Sequence, residues 1–169
     1  MCWYGSHRYL NEYITVYKCR RLMEIGVYNG ENALTMIKTA LKNHPPDQVE
    51  YYGFDFFNYH SQEQIAGKLD QLGCKYTLFP GNTLDTVPDA SMRLPKMDLI
   101  FIDGGKSYRE ARSDWLGTAR LMHRDTAIFV HNADFSGVNR MIEDIPRDRY
   151  DVDVFYSASE GRVAQIKIK

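Results

Sequence analysis

The end of this chain constrains its fold more than any other feature. Two strand-like segments, residues 151–157 and 162–169, alternate apolar and polar residues. Val152, Val154 and Tyr156 mark one, and Ala164, Ile166 and Ile168 mark the other. Only Ala158-Ser159-Glu160-Gly161 joins them. A parallel pair needs a crossover of about a dozen residues or more, so these two strands are expected to be antiparallel.

The rest of the chain follows another rhythm. Short apolar runs at residues 21–26, 50–55, 75–80, 97–103 and 126–132 read as strands. The run MDLIFID at 97–103 is continuous, as expected of a parallel strand covered on both faces. Helical patterns separate the runs. In residues 31–41, Ala33, Leu34, Ile37 and Leu41 share a face, and His44-Pro45-Pro46 stops the helix. Residues 62–72 place Ile65, Leu69 and Leu72 inward before Gly73. Residues 84–90 allow a short helix, 107–122 a long one and 138–145 another. This alternation predicts an α/β sheet with right-handed crossovers, but not its strand order. Tyr9, Leu10, Tyr13, Ile14 and Tyr17 lie at helical spacing, so residues 1–20 are read as an N-terminal helical segment ahead of one domain at 21–169.

Composition narrows the function classes. A net charge of −1 gives no electrostatic reason to expect nucleic acid or an acidic membrane as partner. No apolar run approaches the ~18–20 residues that span a bilayer. The start MCWYGSHRYL has no charged head and apolar middle of a secretion signal, so a cytoplasmic location is expected. Cys2, Cys19 and Cys74 are widely spaced, which argues against a disulfide framework or a zinc site.

Three motifs fall at the ends of the first three strands. Glu24-Ile25-Gly26-Val27-Tyr28-Asn29-Gly30 reads E-x-G-x-x-x-G between strand and helix. Glycines there allow a tight turn and the close approach of a ligand. A dinucleotide fold would instead show G-x-G-x-x-G with a pyrophosphate on the helix. Asp55 ends the second strand, where a carboxylate can accept two ribose hydroxyls, and Phe56 follows with a ring that can cover adenine. Gly81-Asn82-Thr83 follows the third strand. Each alone also reads as ordinary structure: a strand–turn–helix corner, a strand-end cap, a turn asparagine. Together they converge, because ligands in open α/β sheets bind beyond the carboxyl ends of the strands.

These motifs, the five βα units and the terminal antiparallel pair resemble the class I S-adenosylmethionine-dependent methyltransferases over residues 20–169. The resemblance implies a Rossmann-like doubly wound sheet of order 3-2-1-4-5-7-6 with the last strand antiparallel. It implies S-adenosylmethionine as cofactor, held by Glu24, Gly26, Tyr28, Asn29, Gly30, Asp55, Phe56, Asn82, Thr83 and Asp103. The text DLIFIDGGKSYREARSDW around Asp103 is similar to small-molecule O-methyltransferases of macrolide-sugar type, where FIDGxHSY is typical. Lys106 replaces that histidine, an arrangement similar to catechol-type enzymes, where the amine helps deprotonate a hydroxyl. Asp103, Lys106 and His131 are therefore the expected catalytic residues. Relatives that use a metal carry two ligands after the fifth strand, and this chain has His131-Asn132. A divalent cation on Asp103, His131 and Asn132, either Mg²⁺ or a transition metal, is one expectation. Metal-free catalysis is the other.

The expected function is O-methylation of a small hydroxylated acceptor, with a homodimer allowed. N-methylation of a small molecule, or a catalytically silent binding protein of the same fold, are the alternatives. Methylation of nucleic-acid bases is disfavoured, because Asp103-Gly104-Gly105 stands where those enzymes place a D/N-P-P-Y/F box.

Overall fold

The computed structural model describes residues 7–157 and 161–169. Cys2 and most of the expected connection at 158–161 lie outside the described residues. One sheet runs through the molecule. Its strands are β1 (Arg21–Ile25), β2 (Glu50–Asp55), β3 (Lys75–Pro80), β4 (Met97–Ile102), β5 (Met122–Val130), β6 (Tyr150–Ser157) and β7 (Gly161–Ile168). Their order is β3-β2-β1-β4-β5-β7-β6. The first five are mutually parallel, and β7 runs antiparallel to both β5 and β6. The expected order and the antiparallel last strand are both present.

Helices cover both faces. On one side α1 (Arg8–Tyr17), α2 (Glu31–Ala40) and α3 (Gln62–Leu69) close a core that includes Leu10, Ile14, Ile37, Ile65, Leu99 and Phe129. On the other α4 (Thr83–Ser91), α5 (Tyr108–Ala119) and α6 (Ser136–Glu143) close a second around Val87, Ile100, Trp115, Ile128 and Met141. Strand β4 feeds both cores, which is why its sequence is apolar except at Asp98. Ser61 with Gln64 and Ser107 with Glu110 form capping boxes at the starts of α3 and α5.

The clearest boundary differences from the sequence reading lie at β5, α5 and α6. Strand β5 begins at Met122 rather than at 126, and α5 ends earlier to release it. Met122 pairs with Met97, after which the register shifts before Leu99 meets Ala127. Thr126 holds this irregularity: its hydroxyl donates to the Met97 carbonyl at 2.6 Å and accepts from the His123 N–H at 2.8 Å. The polar residues His123, Arg124 and Asp125 sit in the shift and hide the strand start from an apolar-pattern reading. Helix α6 begins at Ser136 rather than at 138. No helix among the described residues is long and apolar enough to cross a membrane.

Candidate active site

The hydrogen-bond ladder continues one residue past the strand ends and so aligns the site. The Gly26 N–H donates to the Phe54 carbonyl, Asp103 to Ile25, His131 to Ile102 and Gly81 to Asp55, at 2.8–3.0 Å. Gly81, Asp55, Gly26, Asp103 and His131 thus form one row across the carboxyl edge of the sheet, in the order β3, β2, β1, β4, β5.

In front of most of this row lies a cavity of about 350 Å³, a size suited to a small organic ligand. Its wall includes Glu24, Gly26, Tyr28 and Asn29 from the first turn, Asp55 and Phe56 after β2, Asn82 and Thr83 after β3, and Asp103, Gly104 and Gly105 after β4. Gly30 is the N-cap of α2, in a left-handed conformation. Nearly every expected cofactor residue is brought to this one place.

The details revise several expectations. At Gly26 (φ +91°) a Cβ would lie 2.4 Å from the Asp103 carbonyl oxygen. The glycine is required first by the backbone of β4 and only second by a ligand. Asp55 is an anchor as well as a candidate ligand. Its Oδ2 accepts from the Tyr28 N–H at 2.9 Å and its Oδ1 from the Phe57 N–H at 2.8 Å. Tyr28 and Phe57 both have positive φ, 49° and 56°, so the carboxylate holds two strained turns together. Asn82 caps α4, with its Oδ1 accepting from the Leu84 N–H at 3.0 Å. That oxygen, expected to meet an adenine amino group, keeps one lone pair for a ligand.

Asp103 is the hub of the expected catalytic group. Its Oδ1 accepts from the Lys106 ammonium at 2.5 Å and lies 3.1 Å from His131 Nδ1. Burial pushes the Asp103 carboxyl up, but the hydrogen bond from His131 and the charge of Lys106 outweigh it and hold the carboxyl below its usual range. Asp103 lines the cavity, and Lys106 and His131 both contact its carboxylate. Asp103 and His131, two of the residues expected to hold a divalent cation with Asn132, face each other here. The Lys106 ammonium shares Asp103 Oδ1 with His131. Among the described residues no group of three or more His, Cys, Asp or Glu side chains is placed to hold a metal ion.

Two neighbours of the site were not visible in the sequence. His7, the residue before α1, lines the cavity. Its ring centroid is 4.7 Å from that of Phe101 and 5.5 Å from that of His131. No motif marks it. Tyr51 donates to Glu24 Oε2 at 2.5 Å while Asn32 donates to Oε1 at 2.8 Å. Tyr51 is one of two tyrosines in an apolar strand, and only the strand register selects it. Burial raises the Glu24 carboxyl to about 8, against the lowering effect of these two hydrogen bonds. Asp114 of α5 is buried beneath Gly104, and burial, partly offset by Thr83, raises it to about 7.

A family model described as a methyltransferase domain matches residues 23–133. No curated protein matches the chain. Solved structures do, at low identity. An O-methyltransferase from Bacillus cereus in complex with SAH is 16% identical with a TM-score of 0.80, over 95% of this chain and 79% of that one. An O-methyltransferase from Streptomyces achromogenes, involved in tomaymycin synthesis and solved with SAM, is 15% identical with a TM-score of 0.75, over 95% and 78%. A TDP-rhamnose 3′-O-methyltransferase of calicheamicin biosynthesis is 16% identical with a TM-score of 0.73, over 94% and 75%. At these identities the likeness is one of fold.

Proposed function

The chain belongs to the methyltransferase-domain family, and we propose that it is an S-adenosylmethionine-dependent O-methyltransferase of a small hydroxylated molecule. The observation that carries this reading is the row Gly81, Asp55, Gly26, Asp103, His131, with a cavity before it and an Asp–His–Lys cluster at one end. The solved relatives whose names specify O-methyl transfer, one of them to a nucleotide sugar, support the choice of a hydroxyl acceptor.

The residues fit the methyl donor. Glu24, Asp55 and Asp103 all face the cavity, and three carboxylates suit a ligand carrying a sulfonium and an ammonium. S-adenosylmethionine, when bound, supplies a methyl group already activated on sulfur. Asp55 accepts from the ribose hydroxyls, Phe56 and Tyr28 give apolar walls, and Asn82 with Thr83 meets the adenine edge. Gly26 lets the first turn lie close under the ligand.

Proton removal falls to His131. Its Nδ1 lies 3.1 Å from Asp103 Oδ1, so the carboxylate orients the ring and stabilises the imidazolium that forms on proton uptake. Lys106, paired to the same carboxylate, acts as an ammonium that fixes Asp103 rather than as the base. These roles agree with metal-free catalysis. The remaining work is alignment of the hydroxyl with the methyl group, which lowers the barrier through positioning.

The test has two parts. Calorimetry should show binding of S-adenosylmethionine and not of NAD. Incubation with phenols, sugars and amines should then yield S-adenosylhomocysteine only with a hydroxyl acceptor. Binding of NAD alone, or turnover of amines alone, would overturn the reading.

A further inference from the structure

Glu110 stands in the first turn of α5 and lines the cavity beside Gly104 and Gly105. The capping box holds it there. Its Oε2 accepts from the Ser107 N–H at 3.2 Å and from the Ser107 hydroxyl at 2.5 Å, while its own N–H donates to that hydroxyl oxygen at 3.3 Å. No hydrogen bond or ion pair from a described residue reaches Oε1. The side chain packs on Gly105, where a Cβ would lie 2.7 Å from Oε1 and collide with the carboxyl carbon. The backbone of Gly105 is not left-handed, so a glycine stands there for the space that this carboxylate fills. Asp114, buried one turn further along α5, interacts with both the Thr83 hydroxyl and the Glu110 charge. Glu110 and Thr83 therefore flank one carboxylate, at the end of the cavity where α4 and α5 begin. An oxygen with open lone pairs takes only an N–H or O–H donor. The base of the ligand assigned above presents one such group, the amino group at C6 of adenine, with two hydrogens. Asn82 Oδ1 has a lone pair for one, and Glu110 Oε1 has lone pairs for the other.

We propose that Glu110 selects the base of the methyl donor, with Oε1 accepting one N–H of the adenine amino group. The inference rests on the donor assigned above and on its adenine edge lying at Asn82 and Thr83. Two acceptors at one position favour a 6-amino purine. They reject a 6-oxo purine, whose oxygen would set lone pairs against lone pairs. The capping box also fixes the polarity of this contact. The Ser107 N–H can only donate, so whatever group takes the place of Oε2 must accept. In Glu110→Gln the side-chain carbonyl must therefore turn to Ser107 and the NH2 to the base. That substitution converts an acceptor into a donor at the base with little change of shape.

The experiment is titration calorimetry of the intact protein with S-adenosylhomocysteine and with S-inosylhomocysteine, which carries a 6-oxo purine. The unaltered protein should prefer the adenosyl ligand by about ten- to a hundred-fold, the range for a charge-assisted hydrogen bond. Glu110→Gln should bring the two affinities together or reverse them, through weaker adenosyl and tighter inosyl binding. Its Tm should hold, because Gln also completes a capping box. Glu110→Asp draws the carboxylate back by one methylene and should narrow the preference, which keeps the test informative if Glu110→Gln does not fold. Ser107→Ala loosens the same cap but leaves both carboxylate oxygens, so it should lower the Tm and keep the adenosyl preference. Adenosyl binding with an unchanged preference in Glu110→Gln would overturn the proposal while leaving the donor assignment standing. Loss of the preference in Ser107→Ala to the same extent would make Glu110 a helix cap alone and overturn it too. Equal binding of the two ligands by the unaltered protein would do the same. If neither ligand binds, the donor assignment falls and the proposal falls with it.

Discussion

The backbone N–H of Tyr28 donates to Asp55 Oδ2 across 2.9 Å, tying the turn after β1 to the end of β2. The other oxygen of the same carboxylate holds Phe57. Asp55 thus shapes the floor on which the ligand is proposed to lie, and its removal has two effects. Asp55→Ala should weaken S-adenosylhomocysteine binding about ten- to a hundred-fold, the loss of charge-assisted hydrogen bonds worth roughly 1.5–3 kcal/mol. It should also lower the Tm of the ligand-free protein by several degrees, because two turns with positive φ lose their restraint. Calorimetry and a thermal melt measure the two. Full affinity with a lowered Tm would make Asp55 a structural anchor only.

Gly26→Val tests the contact between the first turn and β4. A Cβ there would meet the Asp103 carbonyl at 2.4 Å, and the φ of +91° is unfavourable for any branched side chain. The expected result is a Tm lower by roughly ten degrees or failure to fold, alongside lost binding. An unchanged melt with lost affinity would show that β4 moves aside easily and that the glycine serves the ligand alone.

The catalytic cluster makes a graded prediction. His131→Gln should lower kcat about a hundred-fold or more, the range for a general base. Lys106→Met should cost about ten-fold, through a less well fixed Asp103. Neither should change cofactor affinity much, and EDTA should leave activity intact. A larger loss for Lys106→Met than for His131→Gln would make the lysine the base. Inhibition by EDTA would restore a metal to the mechanism.

Stability should fall with rising pH in the ligand-free protein. Glu24 is raised to about 8 and Asp114 to about 7, each from an ordinary carboxyl value. Between those limits the folded state binds more protons than the unfolded one, so stability drops as pH rises. It is fully present below the ordinary carboxyl range and lost as pH passes through about 7 to 8. Melts from pH 5 to 8 should show the decline, and Glu24→Gln should flatten it. A flat profile for the unaltered protein would mean that both groups ionise freely.

Much of this was legible in residue order. The periods of apolar residues separated helices from strands, and the short link before residue 162 announced the antiparallel pair. The motif glycines, Asp55 and Asn82 were found because each follows an apolar run that ends at the same edge. What escaped was whatever depends on partners distant in sequence. Nothing in the text says that Asp55 would spend both oxygens on backbone amides, or that Tyr51 rather than Tyr52 would reach Glu24. The pairing of Lys106 with Asp103 follows a spacing of three at a turn, but whether the lysine serves as base or as counter-ion depends on the fold around it. His7 carries no signal, since one histidine before a helix is common.

The place of β7 has a kinetic consequence. Among the described residues strand β6 pairs with the sheet only through β7, which lies between it and β5. Strands β6 and β7 can form their hairpin locally, but β6 cannot dock before β7 does. In hydrogen-exchange terms, the amides of β6 that bond to β7 can be no better protected than the β5–β7 seam allows the hairpin to be, unless the hairpin persists undocked. The half of the sheet that carries Gly26, Asp55 and Asn82 lies on the far side of that seam, so loosening of the hairpin would reach His131 before it reached the proposed cofactor floor.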